Sequence, residues 1–192
     1  GTTYTVTELS WGFFSSKRNN ITALTLPDTL TDVGSTSFGK FPKLTEITIP
    51  GSVKSFGGNF QGMKNLHTLT FGEGVEEISS NMMVSGCSAL TAIQLPDSLK
   101  TISGPGAFSD AESLTDITLP EGIAITEGSL FSDCTALVEI RLPASVTEIQ
   151  SSMFEGCTSL KKVTADGAIT AIGPKAFSGA ENLTEIPDLC LL

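Results

Sequence analysis

The stretch LVEIRLPASVTEIQSSMFEGCTSL, residues 137–160, decides the fold because it carries three separate patterns in one span. Glu139-Ile140-Arg141-Leu142 alternates polar and apolar residues, the signature of a half-buried strand. Pro143 ends that strand, since proline has no N–H to give to a ladder. After a turn, the apolar pair Val146 and Ile149 predicts a second short extended segment on an opposite wall. Phe154 follows, then Gly156-Cys157, and Leu160 starts the pattern again.

The pattern fills the chain. Its opening leucine or isoleucine recurs at Ile21, Leu44, Leu66, Leu90, Leu114, Leu137, Leu160 and Leu183, in steps of 22 to 24 residues. A fixed period in this range is the mark of stacked repeats. The fourth position is always apolar: Leu24, Ile47, Leu69, Ile93, Ile117, Ile140, Val163 and Ile186. Proline closes the strand at Pro27, Pro50, Pro96, Pro120 and Pro143. The phenylalanine column is Phe14, Phe38, Phe60, Phe108, Phe131, Phe154 and Phe177, with Val84 standing in once; it takes seven of the eleven phenylalanines. No unrelated set of helices and loops would align them so, and the chain is expected to be one solenoid of about eight coils over residues 1–192.

Val6 to Phe14 aligns with Val146 to Phe154, so the sequence is expected to begin inside a repeat and to belong to a longer protein. Gly1 resembles a residue left by tag removal. Pro187 and Asp188 fall where earlier units carry strand and apolar residues, which predicts a shortened last coil.

With 40% hydrophobic and 17% charged residues, the sequence reads as folded. Its net charge of −10 opposes binding to nucleic acid, where clustered cations are rewarded. The longest apolar run, Leu189 to Leu192, is far short of the roughly 20 residues that cross a bilayer.

Period, strand motif and F-x-G-C turn together make the sequence resemble the BspA-like leucine-rich-repeat family, from about Val6 to Ile186. The resemblance implies an α/β, mostly β, leucine-rich-repeat solenoid, with a parallel sheet on one face and short strands and single helical turns on the other. It further implies an exported or surface-attached bacterial protein, often a lipoprotein, with a role in adhesion and protein binding, and no shared catalytic motif. The sequence departs from the family pattern at Ile123-Ala124-Ile125, where the second apolar pair closes up by one residue, and at Gly72 and Asp166, which replace the proline. Local irregularity is expected in those coils.

Candidate chemistry is sparse. Three residues before the opening leucine stand Phe41, Met63, Cys87, Ala111, Cys134, Cys157 and Ala180, a column of small or apolar residues in which cysteine is expected to pack as core. Coils stacked at strand spacing would also bring Cys134 and Cys157 within disulfide range, although parallel stacked side chains rarely give the required dihedral. No C-x-x-C pair supplies a zinc site, and Cys190 lies outside the column. His67, the single histidine, sits in a threonine column and is expected to be an exposed residue where a strand starts. Glu73, Asp97 and Glu121 occupy equivalent turns of successive coils; a row of carboxylates is a candidate for calcium, but a wet turn tolerates like charges without an ion. No catalytic, cofactor or metal residue is assigned.

The exposed positions of the first strand remain. One column runs Thr25, Thr48, Thr70, Gln94, Thr118, Arg141 and Thr164; beside it lie Ala23, Glu46, Thr68, Ala92, Asp116, Glu139, Lys162 and Glu185. A threonine ladder is also what β propensity alone favours on a solvated sheet. As a binding face, the candidates are Thr48, Thr70, Gln94, Asp116, Thr118, Glu139, Arg141 and Lys162, because the open sheet of a solenoid is its extended surface. The expected function is a non-enzymatic module at the cell surface or outside the cell, binding a protein or glycan, host-derived ones included; the alternative is a structural spacer that presents other domains.

Overall fold

The computed structural model describes Glu8, residues 20–34, Phe38 and residues 41–188. The first-repeat alignment over Val6 to Phe14, apart from Glu8, and the position of Cys190 lie outside the described residues. The strands, in chain order, are β1 (Glu46–Ile49), β2 (Ser55–Phe56), β3 (Thr68–Phe71), β4 (Glu77–Ile78), β5 (Ala92–Gln94), β6 (Thr101–Ile102), β7 (Asp116–Ile117), β8 (Ala124–Ile125), β9 (Glu139–Leu142), β10 (Glu148–Ile149), β11 (Lys162–Ala165) and β12 (Ala171–Ile172). Odd-numbered strands form the first wall and even-numbered strands the second, and every pair is parallel. The right register puts Ile47 beside Leu69 and Ile93, all facing the core, and Thr48 beside Thr70 and Gln94, facing out.

Among the described residues six coils carry a first-wall strand, two fewer than the repeat starts suggest. Residues 24–26 carry no strand, and the last unit contributes only an isolated bridge from Lys162 to Glu185. Pro187 has no N–H with which to extend that bridge.

Turns replace the expected single helical turns on the third side. The corners at Phe38, Phe60, Phe131, Phe154 and Phe177 are two successive i→i+3 bonds, as from Cys157 N–H to Phe154 O (3.2 Å) and from Leu160 N–H to Cys157 O (3.0 Å). A helix is prevented by two columns of residues with positive φ: Met82, Gly106, Ser129, Ser152 and Lys175 ahead of the corner, and Gly62, Gly86, Asp110, Asp133, Gly156 and Gly179 after it. A left-handed residue cannot continue a right-handed helix. The glycine of F-x-G-C therefore serves the turn, and Asp110 and Asp133 adopt the same conformation with a side chain attached.

Inside, the opening leucines, the strand residues and the phenylalanines form one core. Phe108, Phe131, Phe154 and Phe177 follow each other at centroid distances of 5.7, 5.7 and 5.6 Å, and Phe38 lies 5.2 Å from Phe60. Buried Val84 separates the two stacks.

Both walls break at one place. Among the described residues no ladder joins β7 to β9 or β8 to β10. This is the coil in which Ile123-Ala124-Ile125 closes up by one residue, and the lost residue shifts the walls out of step with the next coil. Across the break, Ser145 Oγ donates to Ile123 O at 2.8 Å, the same contact that Ser98 Oγ makes to Val75 O (2.9 Å) where both ladders are intact. The third side stays continuous, with Phe131 N–H bonded to Met153 O (2.9 Å) and Phe131 stacked on Phe154 at 3° between planes. The other two departures behave differently. Gly72 N–H donates to Ile49 O (2.8 Å) and Asp166 N–H to Leu142 O (3.0 Å), bonds that a proline cannot make.

Candidate sheet-face binding site

The residues singled out on the first wall fall into two groups. Thr48, Thr70 and Gln94 form one exposed row across β1, β3 and β5, with Thr70 Oγ1 donating to Gln94 Oε1 at 3.1 Å. This is a self-satisfied polar ladder. Thr118 is exposed but lies past the end of β7, outside the row.

Glu139, Arg141 and Lys162 are neighbours through the β9–β11 register, and Asp116 faces them across the break. They line an open cleft of about 380 Å³ between β7 and β9, with Thr115 and Thr164, and with Ile117 and Ile140 beneath. Arg141 spans it. Its Nη2 meets Glu121 Oε1 at 2.9 Å on one side, and on the other its Nε meets Asp166 Oδ1 at 3.0 Å while Nη2 meets Asp166 Oδ2. The two parallel bonds to Asp166 are the geometry in which a guanidinium holds a carboxylate best. Hydrogen bonds to Glu121 and Asp166 push the Arg141 pKa up. Lys162 Nζ pairs with Glu185 Oε2 at 2.7 Å, and that bond raises its pKa as well. Both pairs are exposed, so their contribution to stability is small.

Asp166 and the partnership with Glu121 are what sequence reasoning missed. Asp166 is the residue that replaces the column proline, and Glu121 belonged to the carboxylate row considered for calcium. In the structure that row is divided: Glu121 holds Arg141, and Glu73 Oε1 accepts from Asp97 N–H at 3.1 Å. Among the described residues no three His, Cys, Asp or Glu side chains gather as a metal site would require.

Cys87, Cys134 and Cys157 are buried and unbonded to each other. Each thiol points at the carbonyl of a phenylalanine one coil back, Cys87 to Phe60 O (3.1 Å), Cys134 to Phe108 O (3.2 Å) and Cys157 to Phe131 O (3.0 Å). Cysteine thus fills the core column and satisfies a buried acceptor. Burial pushes the Cys87 thiol up to about 11 and the Cys157 thiol up to about 12, and raises Cys134 too. At pH 8 these thiols stay protonated, and the thiolate is the reactive form. In a Cys190→Ser background, reaction with a thiol-specific disulfide reagent at pH 8 is expected to be at least about a hundredfold slower in the native protein than in urea. Rapid native labelling of all three would contradict the packing described.

His67 is exposed, with Nδ1 2.7 Å from Asn65 O, and takes part in no cluster of titratable groups. The carbonyl of His67 accepts from Thr91 Oγ1 at 3.2 Å, and Thr115 and Thr184 repeat the contact in later coils. The threonines at the start of the strand therefore tie three coils to the ones before them.

Coils of this period, two parallel walls and an F-x-G-C corner define a leucine-rich-repeat solenoid. The chain belongs to the BspA type leucine rich repeat region family, whose profile matches residues 3–105 and 81–188 in six copies. Three solved structures are similar. The leucine rich repeat protein of T. pallidum is 26% identical with a TM-score of 0.68, the match covering 80% of this chain and 75% of that one. A leucine rich cell surface protein of Faecalibacterium prausnitzii is 25% identical with a TM-score of 0.58, covering 97% of this chain and 58% of that one. A leucine-rich repeat protein of Eubacterium ventriosum is 26% identical with a TM-score of 0.67, covering 80% and 41%. No curated protein matches the chain. No helix among the described residues is long and apolar enough to cross a membrane.

Proposed function

We propose that this chain is a non-enzymatic recognition module of an exported or cell-surface protein, and that it binds a protein or glycan through the open first wall. The observation that carries the reading is the convergence of Asp116, Glu139, Arg141 and Lys162 on one cleft of an otherwise threonine-rich sheet face whose outward residues are exposed or half-buried. The similarity to a leucine rich cell surface protein supports the location. Solenoids offer their extended sheet as a contact surface, and charged groups fix the register and specificity of such contacts.

The test is a binding screen against immobilised extracellular-matrix proteins and a host glycan array, run beside a Gln94→Ala, Asp116→Asn, Glu139→Gln variant. These three side chains are polar and their removal leaves the core untouched. Binding by the parent and at least about tenfold weaker binding by the folded variant is the expected result. Silence of the parent toward the whole panel would favour a spacer that presents other domains.

A further inference from the structure

We infer that the partner of this face is an extended, lysine- or arginine-bearing segment of another protein, docked along the strand edges exposed at the ladder break. The inference rests on the binding-face reading above and narrows it.

Two independent observations lead to it. The first is charge. Both cations lining the cleft are already committed, Arg141 to Glu121 and Asp166 and Lys162 to Glu185. Asp116 and Glu139, one on each side of the break, make no side-chain hydrogen bond; Glu139 lies in register with Lys162 and feels its charge, yet the five carboxylates Asp116, Glu121, Glu139, Asp166 and Glu185 meet only these two cations. Lys161 stands just before β11 and outside the cleft lining. The unneutralised charge facing a ligand is thus negative, in a chain of net charge −10. A cationic ligand is attracted and an acidic one repelled.

The second observation is main-chain hydrogen bonding. Along the first wall from β1 to β11, every other pair of adjacent coils closes a ladder, but none joins β7 to β9. No ladder pairs the facing edges of these strands, and an unpaired edge is the condition under which an added strand is bound. A strand that brings lysine or arginine at alternate positions would set those side chains on one face, toward Asp116 and Glu139, while its backbone pairs with an edge. The face also lacks aromatic residues, which argues for a peptide over a sugar that stacks on rings.

The experiment uses the chain as it stands and fluorescence anisotropy with a labelled peptide of alternating threonine and lysine. Three companions are an alternating threonine and glutamate peptide, a lysine peptide N-methylated on alternate backbone nitrogens, and titrations at about 20 and about 300 mM salt. The lysine peptide is expected to bind and the glutamate peptide not. Asp116→Asn/Glu139→Gln is expected to weaken binding about tenfold. Glu127→Gln/Glu148→Gln removes the same charge away from the face and should change it less than about twofold. N-methylation, which deletes main-chain donors, is expected to weaken binding at least about fivefold.

Equal loss in both double variants would reduce the effect to the charge of the whole chain and overturn the inference. So would undiminished binding of the N-methylated peptide, or no binding of the lysine peptide at low salt. If the lysine peptide fails while the screen yields a ligand lost in the sheet-face variant, the binding face stands and its cationic-peptide partner falls.

Discussion

Phe131→Ala is expected to lower the unfolding free energy by about 3–5 kcal/mol and to divide the unfolding transition in two. Phe131 is fully buried and stacks between Phe108 and Phe154, each at 5.7 Å. The Phe131–Phe154 contact is the one that crosses the ladder break. On either wall the coils there share no strand pairing, so this stack and the main-chain bonds of the third side, such as Asp133 N–H to Glu155 O (2.7 Å), hold the two halves together. The exposed Arg141–Glu121 pair adds little. In a solenoid, cooperativity depends on each coil's contact with its neighbours. Removing the ring at the weakest contact should leave the halves to melt separately, giving a urea curve with a reduced slope or two steps. Phe60→Ala, in a region with both ladders intact, should instead shift a single transition by a similar amount. Equal slopes for the two variants would show that the break is no seam.

A local irregularity at that seam was legible in the sequence, because Ile123-Ala124-Ile125 interrupts a spacing that every other unit keeps, but Gly72 and Asp166 marked their coils as irregular too and only the first departure breaks the ladders. The period, the two walls and the core columns were legible for the same reason: each is repeated many times, so one exception does not obscure it. The absence of helical turns was harder to read. The F-x-G-C motif announces one residue with positive φ, but the second such column contains Met82, Ser129, Ser152 and Lys175, residue types that do not advertise the left-handed conformation. The first and last coils were overcounted because a unit's sequence signals its own strand and not the neighbour needed to pair with it.

At the face, which side chains point outward followed from the alternation alone. Their grouping did not. The row through Thr48, Thr70 and Gln94 and the cleft residues Asp116, Glu139, Arg141 and Lys162 look alike in sequence, and only the break distinguishes them. Arg141 illustrates the difference: its partners Glu121 and Asp166 lie 20 and 25 residues away, on turns rather than strands. Their meeting depends on how the turns lean over the wall, a property of the stacked coils and not of any one repeat.

Gly51→Ala is expected to cost about 2–4 kcal/mol, an effect larger than a surface turn normally carries. The cause lies one coil away. Gly72 replaces the column proline, so its N–H is available and bonds to Ile49 O at 2.8 Å. That bond draws the following turn against the one before it. A Cβ on Gly51 would then sit 1.6 Å from Glu73 O and 2.5 Å from its carbonyl carbon, both main-chain atoms that no rotamer change can move. Gly74 meets the same wall from the other side, with a Cβ position 2.4 Å from Gly51 O. The second coil that lacks the proline repeats the arrangement: Asp166 N–H bonds Leu142 O, and Gly167 approaches Ala144 O to 2.7 Å from its Cβ position. Gly122 provides the contrast. Its φ is +78°, but nothing lies within 4 Å of an added Cβ. Gly122→Ala should cost only the left-handed strain of about 1–2 kcal/mol. Chemical denaturation of the two variants separates backbone collision from backbone strain. A Gly51→Ala cost no greater than that of Gly122→Ala would mean that the 72–74 turn can withdraw, and that the bond to Ile49 does not hold it in place.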